Sequence, residues 1–276
     1  MNILSFKNYS FSYSDDTHAA LHNIALNVEE GESIVVSGLS GSGKSTLCMA
    51  ASDLTGNFPA SISEGEIRHG RRSESTRSSV SVVLQNFYAQ ITYLRSTVFE
   101  EIAFPCENIG LERNEIIKRV EDTISKMKIE NLAYRNPLEL SGGEKQKVVI
   151  AAAIAVKPYL LVLDEPMSQL DSESTRYLGD LLLDLKREVT LFVAENDPYL
   201  SLKIADRLVL LYEGQIIADG PPAQVLGPLS EPHVDLPAWT KCVSEATRRK
   251  LFSDRSDVNP FELNYRLALS ALMSLK

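Results

Sequence analysis

Three features of the sequence predict an α/β fold with a parallel sheet at its centre. Ser33–Ser37, Tyr159–Leu163 and Val189–Ala194 are apolar, β-branched runs of strand length, the pattern of strands buried on both faces. Each is followed by a helical pattern: Leu47–Ala51, then Ser172–Glu188 with its Leu178, Leu181, Leu182 and Leu185 stripe, then residues 199–205. The first run leads directly into Gly38–Thr46, which fits G-x-x-x-x-G-K-[ST], the phosphate-binding P-loop, between a strand and a helix.

Taken in order, residues 2–13 alternate as a strand through Ile3, Phe6, Tyr9, Phe11 and Tyr13. Ser14-Asp15-Asp16 is a turn, and residues 20–28 alternate again. These two strands predict a small antiparallel sheet leaning on the core. Tyr13 ends the first of them, where an aromatic either stacks on adenine or is a half-buried strand side chain. Residues 44–54 are predicted helical, Ser63–Glu66 a turn, Ile67-Arg68 a short strand, and the polar residues 70–79 a surface loop. Ser79–Leu84 is a strand ending at Gln85. Residues 97–128 are mainly helical with an interruption at Pro105. Leu140–Gln146 caps and leads into a buried helix, Val148–Val156. Arg207–Tyr212 and Gln215–Ala218 form a hairpin about Glu213-Gly214, and Pro222–Leu226 is a short helix. Gly227-Pro228 and Pro232 mark a boundary. A domain over 1–226 is therefore expected, followed by a small helical appendage over 227–276.

Composition narrows the function classes. The 276 residues suit one large domain with an appendage, with 44% hydrophobic and 24% charged residues. The net charge of -9 argues against nonspecific nucleic-acid binding as the main activity. No apolar run approaches the ~18 residues of a membrane span, Val148–Val156 being nine residues long. The first residues lack the pattern of a signal peptide. Cys48, Cys106 and Cys242 are widely separated and show no metal spacing, so buried thiols in a reducing compartment are expected.

The chemistry sits at strand ends and glycine loops. Gly38, Ser40, Gly41, Ser42 and Gly43 let backbone N–H groups point at phosphate oxygens, at a helix N-terminus whose dipole favours anions. Lys44 would reach the β- and γ-phosphates, Ser45 would ligate Mg²⁺, and Thr46 completes the motif. Asp164 and Glu165 follow a buried strand, where two acids are costly unless they act. At the carboxyl end of a parallel strand, Asp164 would hold Mg²⁺ through water and Glu165 would polarise the attacking water. Gln85, also at a strand end, can reach a metal ion or water. Ser141, Gly142, Gly143 and Glu144 can hold a phosphate through N–H groups or serve as an ordinary helix cap.

This order of motifs resembles the ATP-binding cassette (ABC) ATPases over about residues 1–226. The resemblance implies a P-loop NTPase fold with an N-terminal antiparallel β subdomain and a helical subdomain over about 86–157. It implies ATP and Mg²⁺ as ligands. It matches Tyr13 to the adenine-stacking aromatic, Gly38–Thr46 to Walker A, Gln85 to the Q-loop, Ser141–Glu144 to the signature, Asp164 and Glu165 to Walker B, and Asp171 to the D-loop. In this family two cassettes pair head to tail, the signature of one capping ATP on the P-loop of the other. The interval between Lys44 and Ser141 leaves no room for the coiled-coil insertion of chromosome and repair relatives.

A finer resemblance, at Gln85–Ile91, Thr97–Phe104 and Asn108–Leu111, is to the energy-coupling-factor (ECF) ATPases of vitamin and cobalt or nickel uptake. It implies a peripheral protein on the cytoplasmic face of the cell membrane. Its partners would be a second ATPase, an integral membrane coupling subunit and a substrate-binding membrane subunit. It also implies dimer contacts for residues 227–276. The alternatives are the ATPase of another ABC transporter type, a nucleotide-gated subunit without hydrolysis, and a soluble ABC protein acting on ribosomes or DNA. The single cassette and acidic charge speak against the last.

The family has a histidine after the strand ending at Ala194, contacting the γ-phosphate. Here Glu195 is read at that position, and a carboxylate facing phosphate repels it. Its side chain either turns away or binds a proton or metal. The expectation is a slow or purely binding site on the chain's own P-loop, and a heterodimer with a more active partner rather than a homodimer.

Overall fold

In the computed structural model, residues 1–14, 19–70, 80–168, 170–196 and 198–226 are described. The predicted surface loop at 70–79 falls almost wholly outside them, as does the appendage over 227–276.

The core is a six-stranded sheet. Its strands are β3 (Ser33–Ser37), β5 (Val80–Val83), β6 (Leu160–Asp164), β7 (Thr190–Ala194), β8 (Arg207–Tyr212) and β9 (Gln215–Gly220). They lie in the order β5-β6-β7-β3-β8-β9, parallel except for β9. Every residue of β3, β6 and β7 is buried, as the apolar runs required. Alternate residues serve opposite faces. Val35, Leu161, Leu163, Leu191 and Val193 pack with the helices of residues 98–185. Ile34, Val36, Leu160, Val162 and Phe192 pack with α1 (Lys44–Ala51) and the N-terminal sheet.

That second sheet is antiparallel, as expected, but has three strands in the order β2-β1-β4: β1 (Asn2–Ser12), β2 (Leu21–Glu29) and β4 (Ile62–His69). Ser63–Glu66, read as a turn, lies inside β4. Gly65 has φ +81°, and the pairing with β1 shifts register at Lys7/Ser10, so the glycine marks a bulge rather than a chain reversal.

The helices are α2 (Val98–Asn108), α3 (Arg113–Lys126), α4 (Gly142–Ala155), α5 (Ser172–Leu185), α6 (Pro198–Ile204) and α7 (Pro222–Leu226). Pro105 does not interrupt α2. The helix runs three residues past it, and the break falls before Gly110. A capping box between Thr97 and Glu100 anchors the start of α2, and Ile102 and Cys106 bury its inner face, which offsets the bond that Pro105 cannot donate. α4 begins at Gly142, earlier than the predicted Val148, and α1 ends at Ala51 rather than at 54. Among the described residues no helix is long and apolar enough to cross a membrane.

Candidate nucleotide site

The parallel register brings the carboxyl ends of β3, β6 and β7 side by side: Val36 pairs with Ala194, and Asp164 with Ala194. The segments leaving those ends form the site, as the open-sheet rule requires. After β3 comes Gly38–Gly43. Gly43 caps α1 at φ +103°, and a Cβ there would lie 2.6 Å from the carbonyl oxygen of Ala20. A Cβ on Gly38 would lie 2.2 Å from the carbonyl oxygen of Leu211, so only glycine fits at the loop's entry. The loop borders a cavity of about 240 Å³, walled by Ser40, Gly41, Lys44, Thr46, Gln85 and Glu165.

Lys44 is 5% exposed, and its Nζ donates to the carbonyls of Gly38 at 2.9 Å and Leu39 at 3.0 Å. Burial pushes its ammonium below the usual range, and the Glu165, Asp164 and Glu195 carboxylates pull it back. Glu165 stands 3.9 Å from Nζ and accepts from Gln85 Nε2 at 2.7 Å. It adopts φ +48°, uncommon for a non-glycine residue, held by its N–H donating to Ala194 O at 2.9 Å.

Asp164 is 3% exposed. Burial pushes its carboxyl above the usual carboxylate range, the Ser45 hydroxyl bonded to it pulls it down, and the neighbouring Glu165 charge adds to the rise. Its Oδ1 is buried and has no hydrogen-bond partner among the described residues. An orphaned carboxylate oxygen beside a serine hydroxyl suits a hard divalent cation such as Mg²⁺. The residues present therefore fit a metal-bound polyphosphate: glycine loop and Lys44 for phosphate, Ser45 and Asp164 for the ion.

Tyr13 follows β1 directly. Its hydroxyl lies 3.1 Å from Thr46 Oγ1, and its ring meets Phe11 and Phe58 edge to face. The aromatic thus stands at the first turn of α1, partly exposed. Ser141–Glu144 lie apart from these groups, at the start of α4. Ser141 accepts from the N–H of Glu144 and Glu144 Oε2 accepts from the N–H of Ser141 at 2.8 Å, a capping box. Those bonds to Ser141 hold the Glu144 carboxyl below its usual range. Asp171 caps α5, accepting from Ser174 N at 2.8 Å.

At the end of β7, Glu195 directs its carboxylate oxygens to backbone N–H groups outside the P-loop, while its charge is still felt at Lys44. Its carboxylate is 5% exposed. Oε1 accepts from the N–H of Asn196 at 2.7 Å and Oε2 from the N–H of Met167 at 3.3 Å. Of the alternatives read from sequence, the side chain turns away. Asn196 touches the loop instead: its Oδ1 lies 3.3 Å from Gly38 N. Sequence reading missed Asn196, although the parallel register of β3 and β7 places the two positions level.

A strand-loop-helix phosphate cradle after β3, an acidic pair at the end of β6, across β7 from it, and side chains that suit a cation define a P-loop ATPase. The chain belongs to the ABC transporter family, whose model, described as ABC transporter, matches residues 21–168. It is 34% identical over 253 residues to the energy-coupling factor transporter ATP-binding protein EcfA1 of Ligilactobacillus salivarius, covering 90% of this chain and 89% of that one. Among solved structures it is similar to CbiO1 of Clostridium perfringens, part of the transporter complex CbiONQ. The TM-score is 0.70 at 26% identity, covering 91% of this chain and 96% of that one. It is also similar to the dimeric post-hydrolysis state of the ATP-binding cassette MJ0796 bound to ADP and Pi. There the TM-score is 0.67 at 26% identity, covering 79% of this chain and 98% of that one. The chain is thus an ABC ATPase, of the class that couples ATP hydrolysis to transport.

Proposed function

We propose that the chain is the ATP-hydrolysing subunit of an ECF-type importer, peripheral on the cytoplasmic face of the membrane. It pairs head to tail with a second, different ATPase and drives an integral membrane coupling subunit, while a separate membrane subunit binds the substrate. The observation that carries this reading is the identity with EcfA1 along 90% of the chain, joined to the intact Lys44, Asp164 and Glu165 constellation. The likeness to CbiO1 supports it.

In the reaction, Gly38–Thr46 cradle the phosphates and Lys44 offsets their charge. Ser45 and Asp164 would hold Mg²⁺, and Gln85, two residues beyond β5, would add a polar ligand or contact its water. When bound, the ion neutralises charge that develops on the phosphoryl oxygens. Glu165 orients water and takes its proton, and the Gln85 amide fixes the carboxylate's direction at 2.7 Å. Tyr13 stacks on adenine. Ser141–Glu144 complete the site on the partner's P-loop, and Asp171 lies at the dimer seam. Neither Glu195 nor Asn196 is a histidine, so the chain's own site hydrolyses slowly while the partner's turns over. The same observation keeps a nucleotide-gated, non-hydrolysing subunit as a second reading.

Turnover in the assembled transporter tests this. Lys44→Ala should leave most hydrolysis intact, and the matching P-loop lysine change in the partner should abolish it. If Lys44→Ala stops all turnover while the partner's change does little, the slow-site reading fails.

A further inference from the structure

We infer that Gln146 is a positioning residue for the turn Ser141–Gly143: its buried amide ties α4 to the carbonyl of Pro166, directly behind Glu165, and so sets where that turn meets the nucleotide on the partner's P-loop. The inference rests on reading Ser141–Glu144 as acting on the partner's site.

The turn cannot fix itself. Gly142 and Gly143 carry no side chain, and Ser141 and Glu144 bond to each other across the turn. Glu144 also meets Arg135 at 3.3 Å, but that pair is largely exposed and holds weakly. Gln146 lies one helical turn beneath Gly142 and Gly143, on the same face of α4. It is 2% exposed, and its Nε2 donates to Pro166 O at 2.5 Å. That acceptor is a firm anchor. Pro166 is buried, its ring fixes its φ, and both its neighbours are held. The Glu165 N–H donates to Ala194 O at 2.9 Å and the Met167 N–H to Glu195 Oε2 at 3.3 Å.

Two further observations point the same way. Tyr88, in the segment after β5, bears on the turn directly. Its ring stacks on the buried Phe87 at 4.4 Å. Its hydroxyl lies 2.6 Å from where a Cβ on Gly142 would stand, and the Lys145 ammonium lies 5.8 Å from its ring centre. Gln146 also carries a cost: its Oε1 is buried and has no hydrogen-bond partner among the described residues. A carbonyl can only accept, so Nε2 faces Pro166 and Oε1 stays the orphan. A methionine would fill a similar volume without an orphaned oxygen. An amide kept at that cost serves the placement of the turn rather than the stability of the chain.

The test is ATP turnover by the assembled transporter, with urea unfolding of the full 276-residue chain beside it. Gln146→Met removes the donor. It should lower kcat about tenfold, because the turn is misplaced in the closed site, and change KM by less than about threefold, because the partner's P-loop is untouched. The urea midpoint should stay nearly where it is, since removal of the orphaned oxygen offsets the lost bond to Pro166. Tyr88→Phe, a surface change that spares folding, should reproduce the pattern at smaller size, about threefold in kcat. Should Gln146→Met fail to fold, Tyr88→Phe alone decides. An unchanged kcat overturns the inference. So does a rise in KM with kcat held, or a fall in kcat matched by a fall in the urea midpoint, which marks Gln146 as a packing support. Ser141→Asp separates the inference from the reading beneath it: it keeps a helix cap but sets a carboxylate against the partner's nucleotide. If turnover survives that change, the trans-acting reading of the turn falls. If turnover is lost there and Gln146→Met keeps the wild-type kcat, only the inference falls.

Discussion

Replacing Glu195 by alanine tests whether this buried carboxylate is a structural acceptor rather than a phosphate sensor. The change removes the acceptor for two N–H groups, Asn196 at 2.7 Å and Met167 at 3.3 Å, at a site 5% exposed. A hydrogen bond to a charged acceptor contributes about 1.5–3 kcal/mol, and the longer Met167 bond belongs at the low end. Relief of the carboxylate's own desolvation acts in the opposite direction. The net expectation is a loss of about 2–4 kcal/mol, which moves a urea midpoint down by roughly 1 M for a chain of this size. Glu195→Gln keeps one acceptor and should lose about half as much. Urea unfolding of the nucleotide-free chain measures both. An alanine variant as stable as wild type, or a glutamine variant less stable than alanine, would refute the reasoning.

Asp164→Asn is expected to stabilise the nucleotide-free chain while lowering the residual Mg²⁺-dependent turnover of the chain's own site, measured with the partner's P-loop lysine removed, by roughly 10²–10³. Burial raises the Asp164 pKa in the folded chain, so ionising it costs stability above that pKa and costs nothing below the unfolded value. The stability gain of the variant should therefore shrink as pH falls through that window, and a gain independent of pH in urea titrations would contradict the assignment. Asn196→His should speed hydrolysis at the chain's own site in a complex whose partner P-loop lysine is removed, whereas Glu195→His should not. The opposite order of rates would return the sensing position to Glu195.

Much of the site was legible because its signals are local. The P-loop, the Asp164-Glu165 pair and the buried strands are contiguous in sequence, and their burial follows from unbroken apolar runs. What escaped depends on distant partners. Gly65 reads as a turn until β1 is seen pairing across it. Pro105 reads as a break until the buried face of α2 and its cap are weighed against it. Gly142 and Gly143 read as loop, yet the capping box between Ser141 and Glu144 draws them into the first turn of α4. The charge of Glu195 drew attention to the wrong neighbour. Which of two adjacent side chains faces the P-loop is set by the register of β7 against β3, and no local pattern encodes it.

We propose that this ATPase works as one of two different cassettes on a membrane partner. Native mass spectrometry of the complex, extracted in mild detergent through a tag on this chain, tests it most directly. The account expects one copy of this chain, one copy of a second ABC ATPase and at least one integral membrane protein. A homodimer of this chain, or a complex without a membrane protein, would contradict it.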